Sequence, residues 1–471
     1  MNIVMLSNTY LPHVGGVARS VEAFSAEYRK RGHRVLVIAP EFEGAPAEER
    51  DIIRVPAIQN FNGSDFSARL PIPGYVSASL GDFQPELIHS HHPFLLGDTA
   101  LRMAANWNIP LVFTHHTMYE WYTHYVPGES STLQRYVRDL STGYANLCDQ
   151  VFAPSESVAT VLRERGVEVP IKIVPTGVDP SRFAEGDAAR IREESAIPLD
   201  ALVVGHVGRL APEKNLHFLA EAVAAFLSRR RDAHFLVVGS GPSEEDIRRL
   251  FSDRRLTGRL HLAGTRQGQA LVDAYCAMDV FAFASRTETQ GMVLTEAMAA
   301  GLPVVALDAP GVREVVRDGK NGRLLPRQQV SSFATALQWI SDKDDSDRRP
   351  LCDSARTTAK QFSMSRCAEE ALCAYRNLVR TEAASKTTHK IQGSAWESAL
   401  RVIEAEWGLW AARTHAAGAA LRARRWWPIA TLLWLVDLGR RLRRVVSRNQ
   451  WVMRLLGLPP STHNDGNGTA K

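Results

Sequence analysis

The chain has 471 residues, 45% of them apolar and 23% charged, with a formal charge of +5. That length exceeds one ordinary α/β core and fits two domains plus an extension, and the apolar share excludes wholesale disorder. The charge is unevenly placed: residues 414–458 hold nine arginines, no lysine and one acid, Asp437, while the remainder is mildly acidic. The basic balance therefore belongs to the C-terminal stretch and argues against a nucleic-acid-binding body. The cysteines, Cys148, Cys276, Cys352, Cys367 and Cys373, form no C-x-x-C pair and suggest no disulfide framework, which fits a reducing, cytoplasmic setting.

Residues 2–7 read as a buried first strand and not as a signal peptide, because no basic region leads into a long apolar run. Gly15 and Gly16 follow in a loop, residues 20–31 have helical spacing, Gly32 stops that helix, and 34–39 form a second strand. Further strands are expected at 87–89, 110–114, 151–153 and 171–174. The pattern then restarts. Strands at 201–207, 233–238, 260–262, 280–284 and 303–306 alternate with helices at 215–227, 243–250, 267–277 and 292–300. Such alternation means a mostly parallel sheet covered on both faces, built twice.

The domain limits that follow are 1–180 for the first unit and 181–355 for the second. A helical segment, 356–378, returns toward the first. Residues 379–394 read as a linker, 395–458 as a basic, tryptophan-rich helical tail, and 459–471 as a disordered end. The longest apolar run, 426–438, falls short of the roughly 18 residues a spanning helix requires.

Ligands of open α/β sheets sit at the carboxyl ends of strands, so the chemistry is sought there. Arg209 follows one strand end and Lys214 precedes the next helix; together they can hold two phosphoryl groups. Gly239 opens the loop Gly-Ser-Gly-Pro, where a missing side chain admits an anion to the backbone. Glu288 lies in a loop after a strand, Gly291 permits close backbone approach, and Glu296 stands on the helix beyond. A loop carboxylate suits sugar hydroxyls, and a helix carboxylate suits the two hydroxyls of a ribose.

The run from Glu288 to Glu296 resembles the Glu-x7-Glu signature of the retaining glycosyltransferases with two Rossmann-like domains, glycosyltransferase family 4 with the GT-B fold. Residues 208–215 resemble that family's phosphate-binding segment and 174–179 its domain junction, and the likeness spans about residues 2–375. The resemblance implies an α/β protein with two Rossmann-like domains facing across a cleft, plus a helical C-terminal extension. It implies that Glu288 contacts the donor sugar, with Thr289, Gln290 and Gly291 beside it. Glu296 then holds the ribose, and Arg209 and Lys214 hold the diphosphate without a metal. Gly15 and Gly16 approach the donor. His116, immediately before a threonine, faces the transferred sugar, with His115 the second choice. The co-substrate is expected to be a nucleotide sugar, a UDP-hexose, with no other cofactor.

The segment from His116 to Tyr125 and the Glu-Thr-Gln-Gly of 288–291 resemble bacterial enzymes that glycosylate 1,2-diacylglycerol, which transfer a hexose, usually glucose, to the free hydroxyl with retention. Other acceptors remain open: a polyprenyl or inositol lipid, a soluble sugar or a polysaccharide. So does a nucleotide-sugar epimerase. The histidines 89, 91, 92, 115, 116 and 124 raise a zinc site as a separate reading. For retention, no carboxylate nucleophile stands out, and a same-face substitution assisted by the leaving phosphate needs none. The tail has two readings: an interfacial helix on anionic lipid, or a helix packed on a partner or on the body. The first places the enzyme in the cytoplasm, peripheral on the inner face of the cell membrane.

Overall fold

The computed structural model describes residues 1–13, 15–46, 49–58, 68–69, 80, 82–125, 130–388 and 395–421. Residues 422–471 lie outside them, and with them most of the arginines of the expected tail.

Near-continuous apolar strands separated by amphipathic helices leave one solution, a parallel sheet with helices on both faces. The chain adopts it twice. The first sheet comprises β1 (Asn2–Leu6), β2 (Arg34–Pro40), β3 (Ile52–Val55), β6 (Leu87–Ser90), β7 (Leu111–Thr114), β8 (Gln150–Ala153) and β9 (Ile171–Ile173), and a small antiparallel pair, β4 (Ala57–Ile58) with β5 (Ala68–Arg69), stands apart. Its order is β3-β2-β1-β6-β7-β8-β9. The second sheet runs β12-β11-β10-β13-β14-β15. Its strands are β10 (Leu202–Val207), β11 (Ala233–Val238), β12 (Leu260–Leu262), β13 (Val280–Phe283), β14 (Val304–Leu307) and β15 (Gly322–Leu325). All pairings in these two sheets are parallel. Strands β3 and β15 were not expected: each is a half-buried edge strand of four residues, Ile-Ile-Arg-Val and Gly-Arg-Leu-Leu, too short for its pattern to stand out.

Around the first sheet pack α1 (Gly16–Lys30), α2 (Leu96–Trp107), α3 (Ser131–Ala145) and α4 (Glu156–Glu164). The second carries α5 (Ala188–Glu194), α6 (Leu216–Leu227), α7 (Glu244–Asp253), α8 (Gly268–Cys276), α9 (Met292–Ala299), α10 (Val330–Ser341) and α11 (Asp345–Gln361). Each sheet has a core on both faces. The chain then crosses back. Val178 N–H donates to Phe362 O at 2.9 Å, and Met364 N–H donates to Val178 O at 2.8 Å. Helix α12 (Met364–Thr388) lays Cys367, Ala371, Leu372 and Tyr375 against Ile3, Met5, Val21 and Tyr28 of the first domain. It runs past the expected boundary, so residues 379–388 are helical where a linker was read. Their Thr-Glu-Ala-Ala composition carries no glycine or proline to stop the helix.

The last described helix, α13 (Ala395–Leu421), packs on α2 and α3. Ala405 and Leu409 join the first domain's core. Glycines let the backbones close: Gly408 lies over Leu147, and Gly143 lies under Ala412. Ion pairs Arg102–Glu406 and Arg413–Asp98 flank the seam, and Arg401 Nε donates to Ala105 O at 3.2 Å. Over this part of the tail the body-packed reading holds. Ile403 and Trp407, four apart, remain 42% and 58% exposed on the outer face. Among the described residues no helix is long and apolar enough to cross a membrane.

Candidate active site

Strand order reverses between β1 and β6 in the first domain and between β10 and β13 in the second. The crevice beyond those carboxyl ends is where such sheets bind ligands. The expected residues collect there. Gly15 and Gly16 begin α1 after β1, His91 and His92 follow β6, and His116 follows β7. Arg209 follows β10, Gly239 follows β11, and Glu288 precedes α9. Gly16 has open space where a side chain would stand, so backbone is accessible at that turn.

In the second domain, Lys214 Nζ donates to Glu288 Oε1 at 2.6 Å. Their loops are tied by Thr287 Oγ1 donating to Glu213 O at 3.2 Å and by Asn215 Nδ2 donating to Ala284 O at 3.1 Å. Burial alone would push the Glu288 carboxyl up. The Lys214 charge and hydrogen bond, with a bond from Ser285, outweigh it and hold the group below the ordinary glutamate value. Arg209 pairs with Glu213, four positions on, with its side chain about half exposed. Two cations, each paired with a carboxylate, therefore share one strand-end platform.

Glu296 is buried, and both oxygens are used. Tyr275 Oη donates to Oε2 at 2.8 Å, and Arg19 of α1 pairs with Oε1 across the cleft. Nothing in the local sequence linked Arg19 or Tyr275 to this carboxylate, although Arg19 lies on the helix that Gly16 opens. Gly239 adopts φ +136°, and a Cβ there would overlap the Gly208 carbonyl oxygen. Its missing side chain thus serves the crossing of two loops. Gly291, in the left-handed region, caps α9.

The loop between Glu288 and α9 is also the seam between domains. Thr289 Oγ1 donates to His116 O at 2.8 Å, and Ser155 Oγ donates to Thr289 O at 2.7 Å. Gln290 was expected at the donor. Its buried amide instead reads the backbone of Thr176, with Thr176 N–H donating to Oε1 at 2.6 Å and Nε2 donating to Thr176 O at 2.5 Å. Both polar ends of the side chain are committed, so Gln290 is a strut between domains. Gly311 backs it: a Cβ there would stand 2.6 Å from Gln290 N.

The histidines form a group behind this seam, with His89, His91, His92 and His115 buried and His116 half-buried. His91 Nδ1 and His116 Nε2 are 2.9 Å apart. His89 bonds Thr114 Oγ1 at 2.7 Å and Tyr375 Oη, from α12, at 2.6 Å. Asn8 N–H donates to His92 Nδ1 at 3.1 Å, and His115 meets Ser141 Oγ at 3.4 Å. Burial lowers all five: His89, His92 and His115 to about 3, and His91 and His116 well below the ordinary value. They are neutral at pH 7. Among the described residues no group of three or more His, Cys, Asp or Glu is placed to hold a metal ion, and the side chain of His124 lies outside them.

Residues 14–182 match the Glycosyltransferase Family 4 model, and residues 201–343 match that of the glycosyl transferases group 1. The GDP-mannose-dependent alpha-mannosyltransferase of Mycolicibacterium smegmatis is 31% identical over 345 residues, spanning 72% of this chain and 87% of that protein. The chain belongs to glycosyltransferase family 4 and is a glycosyltransferase of the GT-B fold. The alpha-monoglucosyldiacylglycerol synthase of Streptococcus pneumoniae is 28% identical over 332 residues, spanning 69% of this chain and 75% of that protein. In structure, Anabaena HepE, solved in complex with UDP, superposes with a TM-score of 0.62 at 22% identity, over 80% of this chain and 100% of that one. A mannosyltransferase and a diacylglycerol enzyme stand at similar identity. The likeness to diacylglycerol-glycosylating enzymes therefore narrows to membership of the family.

Proposed function

We propose that the chain transfers a hexose from a nucleoside diphosphate hexose to an acceptor hydroxyl, with retention of anomeric configuration. The Lys214–Glu288 pair carries this reading. It lies at the strand end beside Arg209, and Thr289 of the same loop touches His116 in the opposite domain. Arg209 and Lys214 face the diphosphate and offset the charge that grows on it as the glycosidic bond breaks. Glu288, kept ionised, accepts hydrogen bonds from the hexose hydroxyls, and Glu296 takes the ribose once Arg19 yields. In the substitution the C1–phosphate oxygen bond breaks and the acceptor oxygen bonds C1 on the same face. The acceptor proton passes to the departing phosphate oxygen.

The donor is a UDP-hexose on the ground of the UDP-bound neighbour, or a GDP-mannose on the ground of the mannosyl relative. The acceptor is 1,2-diacylglycerol, a reading supported by the name of the pneumococcal relative and by the His116–Tyr125 segment. The mannosyl relative supports a second reading, the same donor chemistry on another lipid or sugar hydroxyl. We place the enzyme on an anionic membrane surface, where exposed Ile403 and Trp407 and the arginine-rich stretch that follows would engage lipid. The test is mass and anomeric-proton identification of the product from UDP-glucose, UDP-galactose and GDP-mannose, each offered with diacylglycerol, phosphatidylinositol or soluble sugars. An α-hexosyl diacylglycerol is expected. An α-hexoside of another acceptor selects the second reading, and a β-linked product refutes retention.

A further inference from the structure

We infer that His91 is a positioning residue that fixes the tautomer of His116, so that His116 presents an Nδ1–H donor to the cleft and not a basic lone pair. The inference rests on the placement of His116 against the transferred hexose. His91 Nδ1 and His116 Nε2 lie 2.9 Å apart, the two rings are stacked with centroids 5.2 Å apart, and His89 packs on the other side of His91 with centroids 4.1 Å apart. The His91 backbone is pinned by its N–H donating to Leu6 O at 2.9 Å. Neutral imidazole has one N–H and one lone pair, so exactly one of the facing nitrogens carries the shared proton.

The choice follows from the far side of each ring. His91 Nε2 is buried and has no hydrogen-bond partner. If His116 Nε2 carried the proton, His91 would hold an N–H on that orphaned nitrogen, and a buried N–H without an acceptor is the costlier orphan. If His91 Nδ1 carries it, Nε2 keeps only a lone pair, and His116 is protonated on Nδ1. That nitrogen has no partner among the described residues, and His116 is half-buried at the seam. An Nδ1–H there donates to a hexose or acceptor oxygen. It does not take the acceptor proton, which agrees with a substitution in which the leaving phosphate receives it.

The test is two-bond 15N–1H NMR of histidine-labelled full-length enzyme, with steady-state kinetics on three forms. In the native enzyme His116 is expected as the Nδ1–H tautomer. His91→Phe removes the donor, mixes the tautomers of His116 and lowers kcat roughly tenfold, with donor KM moving less than about twofold. His91→Asn, whose amide N–H stands near the position of Nδ1, is expected to restore both the tautomer and most of kcat. An Nε2–H tautomer in the native enzyme overturns the inference whether or not any variant folds. So does a His91→Phe protein with an unchanged tautomer, or a kcat that His91→Asn does not restore. Because the tautomer is read without substrate, failure of every donor and acceptor would sink the proposed reaction and leave this measurement standing.

Discussion

Gln290→Ala separates a strut from a ligand. The native amide gives Thr176 both an acceptor and a donor, at 2.6 and 2.5 Å, in a buried seam. Alanine leaves a backbone N–H and a carbonyl without partners, at roughly 1–3 kcal/mol each, so the seam loses about 2–6 kcal/mol where water cannot enter. Opening at Thr176 should then become roughly thirtyfold or more frequent, since 1.4 kcal/mol is tenfold. Hydrogen exchange by mass spectrometry on peptides spanning residues 174–178 reads this directly, with thermal unfolding alongside. Faster exchange at that junction and a lowered Tm are expected, with the affinity for free nucleoside diphosphate changed less than about threefold. Unchanged exchange with a tenfold loss of nucleotide affinity would place Gln290 at the donor and refute the strut.

Lys214→Met removes the main influence that holds Glu288 down and leaves burial opposed chiefly by the Ser285 hydrogen bond, so the Glu288 pKa should rise. In the native protein the depressed carboxyl contributes stability that is complete above the ordinary glutamate value and drains as pH falls through the lowered one. In the variant the acid limb of the residual rate should move to higher pH, and an unmoved limb would contradict the pairing. Gly239→Ala combines φ +136° with a clash on the Gly208 carbonyl. A loss of roughly 2–4 kcal/mol is expected in thermal or urea unfolding; native stability would show that the loops do not cross as described. Truncation before residue 395 uncovers the faces of α2 and α3 that α13 buries and breaks the Arg102–Glu406 and Arg413–Asp98 pairs. A lower Tm and new binding of a hydrophobic dye are expected, and an unchanged Tm would mean that α13 does not dock.

The two-sheet architecture was legible because buried parallel strands announce themselves. β1, β2, β10, β11 and β13 are dominated by Val, Ile, Leu, Phe and Ala, and the loops at their ends carry the polar residues that meet in the crevice. Lys214, Glu288 and Glu296 were legible for the same reason: strand ends and helix starts tell where a side chain will be. What lies across the cleft was not. Gln290 meets Thr176 over 114 positions and Arg19 meets Glu296 over 277, and no periodicity in one segment encodes a partner in another. The histidines were visible as a cluster, but only the fold shows that Thr114, Tyr375, Asn8 and Ser141 take up ring nitrogens of His89, His92 and His115. The tail left two readings open because its composition is dominated by residues 422–458, whereas 395–421 follows alanine and glycine spacing suited to close helix packing.

The reaction itself is tested most directly by release of nucleoside diphosphate from UDP-glucose or GDP-mannose, with an acceptor panel present, by the native enzyme and by Glu288→Gln. Acceptor-dependent release by the native enzyme, reduced at least tenfold in Glu288→Gln with the fold intact, is the expected result. No release from either donor with any acceptor, or full activity in Glu288→Gln, would contradict hexosyl transfer at this cleft.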